Sequence, residues 1–280
     1  RWAKSAMPLK PWTISCPTFL PNRTRNSRSN RPRNNRPNHQ PLYFWRNIFG
    51  RGNPTADIGH RKERISNMIH LAVLMPTTGN VRAECALSLV RLAWYFQSTP
   101  VVPGEEQRIS FNQWQSSCIA NGREQLVMGA MEKGCTHVLF VDEDIGFEPH
   151  LLHDLLRRRQ PLVACNYRIR FDHFGFAAVS PDMNERIPTL PESTGLQEVG
   201  FCGFGFCLIE RAVFDALPQP WFPQHWHPES RTHTTEDVAF FLNARTAGFI
   251  PMIDHDASKH IVHVGSYRYR WDECLERNSD

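Results

Sequence analysis

Three carboxylates in a row, Asp142-Glu143-Asp144, close the apolar run Val138-Leu139-Phe140-Val141 and are followed by Ile145-Gly146. Four consecutive apolar residues read as a strand buried on both faces, the habit of a central parallel strand. The loop after such a strand lies at the carboxyl edge of its sheet, where open α/β folds bind ligands. Acids gathered there repel one another and resist desolvation unless a cation or hydrogen-bond donors offset them. The simplest cation is Mg²⁺ or Mn²⁺, which prefers oxygen ligands and bridges to phosphates. Alternate residues of an extended chain share a face, so Asp142 and Asp144 address one site while Glu143 turns away.

Four further groups could take part in such chemistry. Arg123 lies in the apolar stripe Ile119, Leu126, Val127, Ala130 of a helical pattern, which turns a guanidinium toward the sheet. It either pairs with an acid such as Glu84 or snorkels out at the helix end, or it reaches the ligand edge and clamps a phosphate or nucleotide. Between Gly200 and Ile209, Gly200, Gly203 and Gly205 alternate with aromatics ahead of an apolar strand. They fit either a close backbone approach to a ligand or tight packing against another strand. Thr235-Glu236-Asp237 opens a helix. Acids are favoured there by the helix dipole, and a carboxylate at that position could also take a proton from an acceptor hydroxyl. His260 and His263 end the apolar run that finishes at Val264. His263 is either a structural histidine at the sheet edge or, with an acidic loop elsewhere in the chain, a metal ligand, and the acidic loop favours the metal. His225, His227 and His233 show no ligand spacing.

The elements that must position these groups follow from periodicity. Ile69–Met75 reads as a first buried strand, ended by Pro76-Thr77-Thr78-Gly79-Asn80. Helical spacing then covers 81–97, with Cys85, Leu89, Leu92 and Phe96 on one face. A short strand is predicted at 108–111, a helix over 116–132 closed by Gly134, and the strand 137–141 before the acids. Pro149 opens a third helix to Arg159, and the next strand spans 162–165. This β-α-β-α-β-α-β order predicts an α/β fold with a doubly wound, mainly parallel sheet and right-handed crossovers. Beyond residue 166 short strands, glycines and prolines replace the alternation, with helices near 210–217 and 236–247, so that half is expected to carry specificity through loops.

Charge divides the chain of 280 residues into two parts. Residues 1–67 hold 14 Lys/Arg and 2 Asp/Glu, a net of +12, whereas residues 68–280 hold 18 Lys/Arg and 26 Asp/Glu, a net of −8. The first part is rich in Arg, Asn and Pro, shows no apolar period and is read as a disordered tail. It is either a basic arm for nucleic acid or an anionic membrane, or a segment without a selected role, with translation starting at Met68. The clean start of the folded body at Ile69, and the lack of aromatics interleaved with the tail's Arg/Asn core, favour the second reading and argue against nucleic-acid binding. No stretch approaches the ~18 apolar residues of a transmembrane helix. Pro8, Pro11 and Pro17 interrupt the segment where a signal peptide would lie. None of the eight cysteines forms a Cys-x-x-Cys pair, so they read as reduced thiols of a cytoplasmic protein.

Taken in order, these pieces resemble a glycosyltransferase of the GT-A fold, family-2-like and of the bacterial and phage type. The resemblance covers about 69–270. Met75-Pro76-Thr77 resembles the family's nucleotide loop, and Arg123-Glu124 its Arg-Asn pair, with Glu in place of Asn. Val138 to Asp144 resembles its Asp-x-Asp (DXD) strand, and Gly203 to Phe214 its glycine-containing acceptor segment. Glu236-Asp237-Val238 with Ala247-Gly248-Phe249 resembles its Glu-Asp helix, and His263-Val264-Gly265 its metal histidine motif. The resemblance implies a metal-dependent transferase in domain 68–280 that moves a sugar from a nucleotide-sugar donor to a glycan, lipid-linked or protein acceptor. Pro76, Thr77, Arg123 and Asp142 would then hold the nucleotide. Asp142, Asp144 and His263 would hold Mn²⁺ or Mg²⁺, and Asp237, or Glu236 beside it, would deprotonate the acceptor. Two other readings stand beside it: a nucleotidyltransferase that makes nucleotide sugars, disfavoured by the glycine-poor loop after the first strand, and a sugar- or nucleotide-binding module without turnover.

Overall fold

The computed structural model describes residues 68–170, 175–229, 231–265 and 268–274. The basic tail 1–67 lies outside the described residues. The chain runs β1 (Ile69–Thr77), α1 (Ala83–Ser98), β2 (Gln107–Gln115), α2 (Ile119–Glu132), β3 (His137–Val141), β4 (Ile145–Phe147), α3 (Leu151–Arg158) and β5 (Leu162–Ala164). It continues through β6 (Leu196–Glu198), β7 (Phe206–Glu210), α4 (Arg211–Ala216), β8 (His225–His227), β9 (Thr232–Thr234), α5 (Glu236–Thr246), β10 (Met252–Asp254), α6 (His255–Ser258), β11 (Ile261–Val264) and β12 (Arg268–Tyr269). Among the described residues no helix is long and apolar enough to cross a membrane.

A seven-stranded sheet in the order β2-β1-β3-β7-β5-β10-β6 forms the centre. β2, β1, β3, β5 and β10 run in one direction and β7 and β6 oppose them, so the sheet is mainly parallel, as the alternating pattern predicts. The apolar runs of β1 and β3 are continuous because both strands are covered on each face: Leu71 to Leu74 and Val138 to Val141 are at most 1% exposed. α2 lays Leu126, Val127 and Ala130 against β1 and β2, and ends where Gly134 takes a φ of 73°. α1 buries Cys85, Ser88, Leu92 and Phe96, and the Ser88 hydroxyl accepts the Phe147 N–H of β4 at 2.9 Å.

β1 continues through Pro76 to Thr77, and Ile145–Phe147 forms a strand that the sequence did not mark; two further departures concern the central sheet. β2 extends to Gln115 instead of stopping near 111, because its backbone pairs with β1 residue for residue from Gln107 to Gln115. Backbone pairing carries the strand through Asn112, Gln113 and Gln115, where no apolar pattern marks it. β7 enters antiparallel between β3 and β5, so the step from β3 to β5 skips one position in the sheet. A run such as Phe206-Cys207-Leu208-Ile209 has the same apolar character in either direction.

The turn leading into β7 carries the alternating glycines, and the structure explains two of them by packing. The Tyr167 ring lies so close to Gly203 and Gly205 that a Cβ at either would overlap it, and the Gly205 N–H donates to the Tyr167 hydroxyl at 3.2 Å. Tyr167 is buried, and burial first, then the Asp142 charge, push its hydroxyl well above the usual phenol range. We expect Gly203→Ala to cost about 1–3 kcal/mol by overpacking. Because the hydroxyl oxygen is the nearest obstacle to the added methyl, the cost should shrink in a Tyr167→Phe background. Denaturant unfolding of the four proteins in this cycle measures it, and equal losses in both backgrounds would rule out the contact as the cause.

Candidate functional site

The three acids after β3 receive three different partners. Asp142 accepts from Arg123 Nη2 at 3.0 Å, and the other arm of the same guanidinium, Nη1, is bonded to Glu236 at the start of α5. Arg123 is 3% exposed and its guanidinium lies 4.7 Å from the centre of the Phe204 ring. The helical stripe thus points it inward, and its acid partners are Asp142 and Glu236 and not Glu84. Glu143 turns the other way. It accepts from the hydroxyl of Thr77, the hydroxyl and N–H of Thr78, and the N–H of Asn80. Burial opposes ionisation of Glu143, but these donors together outweigh it and hold its pKa below the usual carboxylate value. The loop after β1 is therefore built around an anion supplied by the chain itself.

Asp144 faces a third environment. β11 pairs antiparallel with β4, setting His263 opposite Ile145, and the Val264 N–H donates to the Asp144 carbonyl at 2.8 Å. This register brings a histidine from late in the chain to the acidic loop, with His263 Nε2 at 3.5 Å from Asp144 Oδ1. His263 Nδ1 lies 2.8 Å from the Arg168 carbonyl, which can only accept, so Nδ1 carries the proton. Nε2 then holds a lone pair, and it accepts from Arg170 Nε at 2.7 Å. Burial, the largest influence, lowers the His263 pKa and favours this neutral form, with the Arg170 charge acting in the same sense and the bond to the Arg168 carbonyl opposing. The Arg170 guanidinium also forms an ion pair with Asp144.

A cavity of about 230 Å³ opens beside these groups. Pro76 and Thr77, which the structure keeps in β1 where the sequence suggested a turn, Thr78 just after it, Trp114 near the end of β2, Gly122 on α2, and Asp142, Glu143, Asp144 and Arg170 line it. Ligand pockets commonly measure ~300–1,000 Å³, so a nucleotide sugar seated here would extend beyond the cavity. Of the eight residues singled out in the sequence, Pro76, Thr77, Asp142 and Asp144 line this space. Arg123 braces Asp142, and His263 stands beside Asp144. Glu236 is buried against Arg123. Asp237 is half-buried and accepts from the Thr235 hydroxyl and from the Val238 N–H at 2.8 Å. Among the described residues no three His, Cys, Asp or Glu side chains converge as a metal cluster. The pair that does converge, the Asp144 carboxylate and the Nε2 lone pair of His263, has the donor chemistry of a Mn²⁺ or Mg²⁺ site, and the Arg168 carbonyl supplies the outer bond that orients the ring.

Trp114 and Arg170 were not singled out from sequence. Trp114 is visible only once β2 is read to Gln115, and Arg170 sits in an irregular segment with no local pattern. Glu124, which stands where the resembled family has Asn, faces away from the cavity. Its carboxylate accepts the backbone N–H groups of Trp221 at 3.0 Å and Phe222 at 3.4 Å. Burial raises the Glu124 pKa and these two bonds pull it back in part. Glu124 thus ties α2 to the loop before β8.

No protein-family model matches the chain, and no curated sequence does. Solved structures similar to it include the A197 protein from STIV, at 18% identity and TM-score 0.46, covering 70% of this chain and 86% of that one. A variant of Drosophila beta-1,4-galactosyltransferase 7 in complex with manganese, UDP-Gal and xylobiose aligns at 13% identity and TM-score 0.40, covering 76% and 75%. A nucleoside-diphosphate-sugar pyrophosphorylase from Vibrio cholerae RC9 aligns at 10% identity and TM-score 0.43, covering 70% and 95%. The fold of this chain rests on its own strand order and register.

Glu124→Ala should leave two N–H donors unpaired and cost about 1–3 kcal/mol, while Glu124→Gln, which keeps an acceptor oxygen, should cost about 1 kcal/mol or less. Denaturant midpoints distinguish the two, and equal losses would show that the charge and not the hydrogen bonding is what the site needs.

Proposed function

We propose that this protein is a metal-dependent glycosyltransferase of the GT-A type, moving a sugar from a nucleotide-sugar donor to a glycan, lipid-linked or protein acceptor. One observation carries the reading: Asp144 and the unprotonated Nε2 of His263 meet beside a cavity at the carboxyl edge of a mainly parallel sheet. Asp144 and His263 would hold Mn²⁺ or Mg²⁺, with Asp142 alongside, and the ion would supply Lewis-acid stabilisation of charge on the leaving diphosphate. Pro76 and Thr77 would border the nucleotide at the end of β1, beside a loop that Glu143 keeps in shape. Arg123 would act on the donor through Asp142, by fixing that carboxylate in one orientation.

In an inverting transfer the acceptor oxygen bonds to the anomeric carbon while the bond from that carbon to the phosphate oxygen breaks. The acceptor proton goes to a carboxylate and the electron pair leaves with the nucleoside diphosphate. Asp237 suits the proton-accepting role better than Glu236. Its two contacts are to neighbouring residues at the helix start, whereas Glu236 is already committed to the Arg123 guanidinium. A cytoplasmic site of action belongs to the same reading, supported by free thiols at Cys85, Cys118, Cys135, Cys165, Cys202 and Cys207, all but Cys118 buried.

The test is thermal stability and turnover of the full chain with a panel of nucleoside diphosphates and nucleotide sugars, with and without Mn²⁺. Stabilisation should require both metal and one class of nucleotide. Asp144→Ala should abolish the metal requirement and lower transfer by about 10²-fold or more, the scale of losing one preorganised charge-stabilising group. Undiminished metal-dependent transfer by Asp144→Ala would overturn the assignment. Turnover of sugar-1-phosphate with a nucleoside triphosphate would point to nucleotide-sugar synthesis instead.

A further inference from the structure

Arg170 occupies the place where a metal ion would compete for ligands. Its guanidinium is bonded to the Asp144 carboxylate, and its Nε–H is spent on the one ring nitrogen of His263 that has a lone pair to give. A hard divalent cation and this guanidinium therefore claim the same two donors, and both cannot hold them. The side chain is free to leave: it is 40% exposed, whereas the Asp144 side chain is 14% and the His263 side chain 11% exposed. Among the described residues that line the cavity, Arg170 is the sole cation, against three carboxylates. Of those carboxylates, Asp142 and Glu143 are satisfied by Arg123 and by the donors after β1, so Asp144 is the acid whose partner is an exposed side chain. A guanidinium released from Asp144 would remain at the cavity wall, with a fork of donors suited to a phosphate.

We infer that Arg170 is a further substrate-binding residue with two stations: it holds Asp144 and His263 until a divalent cation takes them, and then binds the phosphates of the nucleotide donor. The inference rests on the metal-dependent reading above. It predicts that metal binding and nucleotide binding respond oppositely to the loss of Arg170. Removing the competitor takes away one rival claim on Asp144 and His263, and removing the cation weakens the hold on an anion.

The experiment is calorimetric titration of the full chain with Mn²⁺ alone, then with UDP, GDP and ADP at saturating Mn²⁺, for the unaltered protein, Arg170→Gln and Arg170→Lys. Arg170→Gln should bind Mn²⁺ about tenfold more tightly, as expected when charge-assisted competing bonds are removed. It should bind the preferred nucleoside diphosphate about tenfold more weakly. Arg170→Lys retains the positive charge but lacks the planar fork, so both shifts should be smaller and in the same directions; this variant also carries the test if Arg170→Gln does not fold. Unchanged or weaker Mn²⁺ binding by Arg170→Gln would overturn the competition, and unchanged nucleotide binding would overturn the second station. Either result leaves the metal-dependent reading standing. Failure of all three proteins to bind Mn²⁺ would overturn both.

Discussion

The guanidinium of Arg123 is the constraint on which the site depends. It joins α2, the end of β3 and the first turn of α5, and lies over Phe204 from the turn before β7. Asp142 and Glu236 would repel one another across an apolar interior without it. Breaking a buried ion pair by removing one partner commonly costs about 3–5 kcal/mol, because the other charge is left uncompensated. The surroundings raise that stake. Phe140, Phe204, Phe222 and Phe240 pack as a ring cluster with centroid separations of 5.0–5.7 Å. The cluster excludes water from around the charge and offers ring faces to it. The position of Asp142 at the cavity is thus fixed from below, by packing that no ligand has to assemble.

A turn, closed by the Ile145 N–H on the Asp142 carbonyl at 3.2 Å and not the extended chain the sequence suggested, makes the acidic triplet into three separate devices. Around this turn Asp142 meets the buried arginine and Glu143 meets the loop that follows β1. Glu143 stabilises that loop by accepting from hydroxyls and backbone N–H groups, with no cation involved. Asp144 is held where β11 pairs with β4. Two acids are therefore spent on architecture and one stays beside a neutral histidine and an exposed arginine. A triplet that reads as one concentration of negative charge behaves locally as a single available carboxylate.

What the sequence showed and what it hid follow from the range of the interactions. β3, α2 and its terminal glycine were legible because each is set by local apolar spacing or by backbone conformation. His263 was legible because an apolar strand delivers it to a sheet edge. The partner of Arg123 was not, since Glu236 lies 113 residues away and the turn that opens α5 explains its acids without any arginine. The length of β2 was hidden because its far half is polar and held by its backbone pairing with β1. Gly203 and Gly205 were legible as positions of close approach, but not the Tyr167 ring that approaches them. Glu124 looked like a departure at a nucleotide contact because its position was matched to a motif. Its side chain instead answers two N–H groups of a loop almost a hundred residues later.

The charge arrangement also bears on the order in which ligands can enter. With Arg170 on Asp144 the site still keeps a net negative charge, because Glu143 is met only by neutral donors and Arg123 is shared between Asp142 and Glu236. A nucleoside diphosphate arriving in that state would meet a guanidinium already engaged by a carboxylate and an imidazole. Binding it there would mean exchanging one anionic partner of Arg170 for another, leaving Asp144 unpaired next to the incoming phosphates. A like-charge contact of that kind opposes binding strongly at a site partly shielded from water. A cation taken up by Asp144 and His263 removes the repulsion and releases the guanidinium at the same time. If the proposed metal-dependent reading holds, the cation would be taken up before or together with the anionic donor, an order set by the contest for one carboxylate and one ring nitrogen.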